Sequence, residues 1–197
     1  MTANLSTAQA SPIPPVATRR ARWWRWPVIV LGVVLVFVGT YFLAWWDALR
    51  LTNTFAANAD ASFEAGNYLD ALAGFEEFDE TSNEYIWRGG YGDVVRIWRH
   101  NMARPVPAAA AQAEARIEEI INERLTIAEA EQFVQENIGR TNPYLGIVYL
   151  RLGELYEADG DERSAEDIYR EIEELFPGQQ TLIDRANAHL ERLGVQE

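Results

Sequence analysis

The 197-residue chain has no cysteine, which excludes disulfides and thiolate metal sites. It carries 30 acidic residues against 17 basic ones, and every basic residue is arginine. All the acidic residues lie at or beyond Asp47 with 13 of the arginines, leaving that part 17 charges negative, a field that repels nucleic acid and anionic headgroups and favours cationic partners.

Residues 1–18 are rich in Ala, Ser, Thr and Pro and have no periodicity, which predicts a disordered tail. Arg19, Arg20, Arg22 and Arg25 follow, completing a segment 1–26 with a basic end. From Pro27 to Trp46 there is no charge. As a helix, Val28–Trp46 rises roughly 28 Å, close to the thickness of a hydrocarbon core. Twelve Val, Ile, Leu and Phe residues lie in it and favour insertion by about 4–7 kcal/mol. The stretch 27–46 is therefore expected to be a transmembrane helix. Trp23, Trp24 and Trp26 crowd one end and Trp45 and Trp46 the other, as interfacial indoles do. The arginine excess before the span predicts a cytoplasmic N-terminus and an extracytoplasmic C-terminal part. A cleaved signal peptide would have a shorter apolar core and small residues at its end. Here the end is Phe42-Leu-Ala-Trp-Trp46, so an uncleaved single-pass anchor is expected.

Beyond the span, residues 47–197 show helical spacing and no convincing alternating strand. Leu69, Leu72 and Phe75, with Phe78 beyond, mark one face. Tyr91, Val94, Val95, Trp98 and Met102 mark another. Ile117, Ile120, Ile121 and Leu125 lie on a helix that starts after Pro105 and Pro107. Thr126-Ile-Ala-Glu129 has capping-box form and opens a helix that Gly139 closes. The cleanest stripe runs Leu145, Val148, Tyr149, Leu152, Leu155, Tyr156. Ala165, Ile168, Tyr169, Ile172 and Leu175 follow after Gly160-Asp161, and Pro177-Gly178 stops that helix. A last helix carries Ile183, Ala186, Leu190 and Leu193, with Thr181 as its cap. The fold class read here is all-α: one N-terminal transmembrane helix, then antiparallel helical hairpins.

Two of the hairpins repeat. Gly66, Ala71 and Phe75 have the same spacing as Gly160, Ala165 and Tyr169. A glycine permits the tight turn, an alanine lets the second helix approach the first, and an aromatic fills the wedge beyond. On these residues the chain resembles the tetratricopeptide repeat family. The second copy matches better, with Gly153, Tyr156, Gly160, Ala165, Tyr169 and Pro177 at the family's signature spacings. The first keeps Gly66, Tyr68, Ala71 and Phe75, but has Ala59 for the small residue and Phe78 where a smaller one is usual. The resemblance implies a first repeat at 47–79, irregular helical hairpins at 80–140, a second repeat at 141–178 and a capping helix at 179–197. It also implies a concave groove that grips peptide segments. Its lining positions here would be Asn53, Ala56, Asp60, Phe63 and Glu64 in the first copy. In the second they would be Ile147, Leu150, Glu154, Glu157 and Ala158. Such a groove would prefer a basic or apolar segment.

Catalytic chemistry is not signalled. His100 and His189 have no metal-ligand spacing, and the Glu pairs recur as solvated helical faces. Arg88-Gly-Gly-Tyr-Gly-Asp93 lacks the Lys-Ser/Thr of a phosphate loop and reads as a flexible turn between aromatic anchors, Trp87 and Tyr91. No cofactor, metal or nucleic acid is expected. The function expected is a membrane-anchored scaffold or chaperone-like assembly factor that binds membrane-complex subunits or secreted chains. A structural accessory subunit of a larger membrane complex is the alternative; an enzyme comes last.

Overall fold

A computed structural model describes residues 25–101 and 103–194. The expected tail, Arg19, Arg20, Arg22, Trp23, Trp24 and Met102 lie outside the described residues. The chain divides into two compact units, with the boundary between Ala44 and Trp45.

Helix α1 runs Arg25–Glu64 as one element. It contains an 18-residue window of mean hydropathy 2.5, of which nothing is buried. A core helix of a soluble protein buries such a surface; this helix is long and apolar enough to cross a membrane, and its apolar window is left exposed by the described residues. Within it, the Thr40 hydroxyl donates to the Val36 carbonyl at 2.9 Å, which satisfies that hydroxyl inside its own helix.

In the second unit, the remainder of α1 buries Thr52, Ala59 and Ser62. The chain turns at Gly66, whose φ of +81° falls in the left-handed region that favours glycine. Helix α2, Tyr68–Ala73, is only six residues long. Strands β1 (Phe75–Asp79) and β2 (Glu84–Arg88) then pair antiparallel, with Phe78 opposite Tyr85 and Glu76 opposite Trp87. This corrects the all-α expectation: the described residues are mostly helical, but Phe75 and Phe78 lie on a strand, not on a helix face. Gly74 causes the break. A Cβ there would lie 2.6 Å from the Arg88 carbonyl oxygen and 2.8 Å from the Gly90 nitrogen, so the chain leaves the helix where β2 comes closest.

Helix α3, Tyr91–Trp98, packs antiparallel to the second half of α1. Tyr91 reaches Asp60 and Trp98 reaches Thr52. Helix α4, Ala108–Glu119, returns along α3 and loosens into a π-turn at Ile120–Arg124. Helix α5, Ile127–Asn137, opens with the expected box. The Thr126 hydroxyl accepts from the Glu129 amide at 3.3 Å, and the Glu129 carboxylate accepts from the Thr126 amide at 2.9 Å.

Helices α6 (Leu145–Asp159) and α7 (Glu162–Leu175) form an antiparallel hairpin about Gly160, whose φ is +87°. Gly153 is where the two helices touch: a Cβ there would sit 2.6 Å from the Tyr169 ring. Helix α8, Gln180–Arg192, completes the chain; Gln179 caps it, and Thr181 lies inside it. Leu182 lies over Gly146, Arg185 reaches Glu154 and His189 reaches Glu157, so α8 runs in the same direction as α6. Leu72, Tyr91, Ile120, Phe133, Val148, Leu150, Tyr169 and Ile172 are the large buried side chains of one core that joins α2 through α8.

Candidate functional site

The residues expected to line a groove fall into three environments. Asn53, Glu64 and Ala158 are exposed, and Ala56 and Ile147 are half-buried. Leu150 is fully buried and belongs to the core. Phe63 is half-buried, in edge contact with Tyr68 and Tyr91, and the Arg116 guanidinium lies 4.5 Å above its ring. Asp60 accepts a 2.5 Å hydrogen bond from the Tyr91 hydroxyl. Burial, then this bond, pushes the Tyr91 pKa well above that of an ordinary phenol.

Glu154 and Glu157 face the last helix. Glu154 meets Arg151 at 3.0 Å and Arg185 at 2.9 Å. Glu157 accepts from the Tyr169 hydroxyl at 2.8 Å and lies 2.6 Å from His189 Nδ1, with Arg192 at 3.3 Å. Burial works against the charged Glu157 carboxylate, but His189 and Tyr169 outweigh it and hold its pKa below the usual carboxylate range. These two glutamates therefore hold α8 on α6, and their charge is met from within the chain.

Of the repeat-signature positions, Ala71, Gly153, Ala165 and Tyr169 are buried at helix contacts. Tyr156 reaches across to Glu131, and the hydroxyl's pKa is pushed up to about 12, first by that hydrogen bond and then by burial. Gly66 and Gly160 make the two turns, and Pro177 follows the end of α7. Phe75 is the exception, half-buried on β1.

The glycine-rich loop is a packing joint, which corrects the expectation of a flexible turn. Gly89 and Gly90 are buried, and a Cβ on Gly89 would come within 2.4 Å of the Phe55 ring. Beyond them the buried Asp93 carboxylate accepts from Trp87 Nε1 at 2.8 Å and from the Gly90 amide at 3.3 Å, and pairs with Arg96 at 2.5 Å.

Sequence reasoning passed over a cleft of about 670 Å³ between α3, the α5–α6 loop and the α7–α8 turn. Its apolar lining includes Val95, Val134, Leu145 and Phe176, and its charged lining is Arg96, Arg99, Arg140 and Asp93. No carboxylate among the described residues forms an ion pair with Arg99 or Arg140. Burial pushes the pKa of Tyr144, on the cleft wall, upward, and the positive charge of Arg99 opposes the shift. The available signal was local: Arg96-Ile-Trp-Arg99 is an arginine pair inside a chain part that is otherwise strongly acidic.

Taken together, this is a mostly helical domain that follows a helix long and apolar enough to cross a membrane. Compared with known proteins, the chain matches no family model, no curated protein and no solved structure. Among the described residues, no group of three or more His, Asp or Glu is placed to hold a metal ion.

Proposed function

We propose that the protein is a single-pass, membrane-anchored scaffold whose helical domain, on the extracytoplasmic side, holds other proteins at the membrane. The observation that carries this reading is the bare apolar stretch of α1: twelve exposed Val, Leu, Ile and Phe residues between Val28 and Leu43 are left uncovered by the described residues, and lipid supplies the cover. Tethering raises the effective concentration of the domain for partners in the same membrane. The α6–α7–α8 arrangement supports a tetratricopeptide-like reading of the second hairpin. Its two helices cross at a glycine, and the next helix runs parallel to the first. The first hairpin supports that reading less, because α2 stops after six residues.

The test is site-specific photo-crosslinking in native membranes from the exposed positions Asn53 and Ala158, followed by mass spectrometry. The expected result is a small set of membrane-complex subunits or secreted chains crosslinked from both positions. A single assembly of fixed stoichiometry would favour the accessory-subunit alternative. A chain that gives no adduct from either position would remove the scaffold reading.

A further inference from the structure

The arginine-lined cleft has a charge opposite to the net charge of the chain beyond Asp47. From Asp47 onward the chain is 17 charges negative, yet three arginines and one aspartate line this cleft. The aspartate is already committed: Asp93 is buried and bound by Trp87, Gly90 and Arg96. Arg99 and Arg140 sit on separate elements, just after α3 and in the loop after α5, and both are exposed. Their guanidinium groups have no carboxylate partner among the described residues. A single unpaired guanidinium on a surface, such as Arg163, signals no ligand; two that converge on one concave site, from separate elements, can be met together by an anion.

The apolar lining decides what kind of anion. Val95, Val134, Leu145 and Phe176 line the same cleft as the arginines, so the ligand has an apolar body. A volume of about 670 Å³ lies within the range of specific ligand sites and suits a few residues of an extended segment. Gln179, which is exposed and also lines the cleft, has a side-chain amide with both a donor and an acceptor, as a peptide main chain requires. Long polyanions are disfavoured. Nucleic acid or an anionic bilayer would extend past the cleft and meet the net negative charge of the rest of the chain, whereas a short segment meets the cleft alone.

We infer that this cleft binds an acidic peptide segment, with one or two carboxylates taken by Arg99 and Arg140 and an apolar side chain seated on the apolar lining. This rests on the scaffold reading and specifies the partner's chemistry at a surface different from the expected groove.

The experiment pans a displayed library of short random peptides on the full chain in nanodiscs of zwitterionic lipid. Enriched peptides are then measured by fluorescence polarisation. The expected outcome is enrichment of peptides that combine Asp or Glu with an aliphatic or aromatic residue. Their affinity should fall at least about tenfold in Arg99→Glu/Arg140→Glu and stay unchanged in Arg163→Glu, an exposed charge reversal away from the cleft. Circular dichroism of the double variant checks that it folds. If it does not, Arg99→Gln/Arg140→Gln replaces it with the same loss expected. Enrichment of basic peptides, retention of affinity in the folded double variant, or no enrichment at all would overturn the assignment. So would displacement of the peptides by soluble short-chain phosphatidylglycerol at concentrations where the phosphatidylcholine analogue has no effect, which would assign the cleft to lipid. Crosslinks from Asn53 and Ala158 that persist in the arginine double variant would leave the scaffold standing while removing the cleft from it.

Discussion

Glu157 is the residue on which the end of the domain turns. Its carboxylate joins α6 to Tyr169 of α7 and to His189 and Arg192 of α8, so one side chain serves three helices. Its pKa in the fold lies below the ordinary value of 4.5. A depressed carboxylate stabilises the fold fully above its unfolded pKa, and that contribution is lost as pH falls through the folded pKa. Glu157→Gln keeps the shape and removes the charge. At neutral pH it is expected to lower unfolding free energy by about 1–2 kcal/mol. The gap between the two proteins should narrow once pH drops below the ordinary carboxylate value and close as it passes through the lower folded pKa, where the wild-type carboxyl is itself protonated. Urea melts of the detergent-solubilised chain, followed by circular dichroism at several pH values, measure both. A gap that stays constant with pH would show that packing, not charge, makes Glu157 important.

At the scale of elements, one buried hydrogen bond fixes how α3 lies on α1. Trp98 Nε1 donates to Thr52 Oγ1 at 2.7 Å, and the same hydroxyl donates to the Ala48 carbonyl at 2.8 Å. Thr52 is fully buried and Trp98 nearly so. Thr52→Val leaves the indole N–H buried without an acceptor and is expected to cost about 1–3 kcal/mol. Adding Trp98→Phe removes the orphaned donor, so the double variant should be less destabilised than the two single losses added together. Purely additive melts would mean that the indole finds another acceptor. Much at this scale is legible in the sequence. The capping box at Thr126, the stop at Gly139 and the hairpin about Gly160 all follow from local chemistry that packing does not override. The β-hairpin is not legible by periodicity, because Leu69, Leu72, Phe75 and Phe78 imitate a helical stripe. Its true signal was the turn. Asp79 accepts from the Thr81 amide and from the Ser82 hydroxyl, both at 3.0 Å, and Asn83 adopts a φ of 54°. Strand alternation follows in Glu84-Tyr-Ile-Trp-Arg88, with Tyr85 and Trp87 exposed and Ile86 half-buried. The cleft was hidden for a different reason: Arg99 and Arg140 are 41 positions apart, and only the packing of α5 against α6 brings the α5–α6 loop to the end of α3.

For the whole molecule, the proposal depends on sidedness, and the sequence makes sidedness unusually simple to measure. The chain has no cysteine, so a single introduced thiol reports one position without background. Arginines precede the apolar stretch and the acidic excess follows it, and the distribution of positive charge governs which flank stays in the cytoplasm. Asn187→Cys places a thiol on an exposed position of α8, and Ser11→Cys places one in the basic-flanked segment before α1. In sealed right-side-out vesicles a membrane-impermeant maleimide is expected to label Asn187→Cys at once and Ser11→Cys only after detergent is added. Both thiols are expected to remain in a single band of full mass, since bulky residues at the end of the apolar stretch disfavour signal-peptidase cleavage. The reverse labelling pattern would put the domain on the cytoplasmic side. Loss of the Ser11→Cys label with a shorter Asn187→Cys band would mean that the apolar stretch is removed. Either result would end the case for an extracytoplasmic anchored scaffold, because tethering concentrates the domain only on the face where it is held.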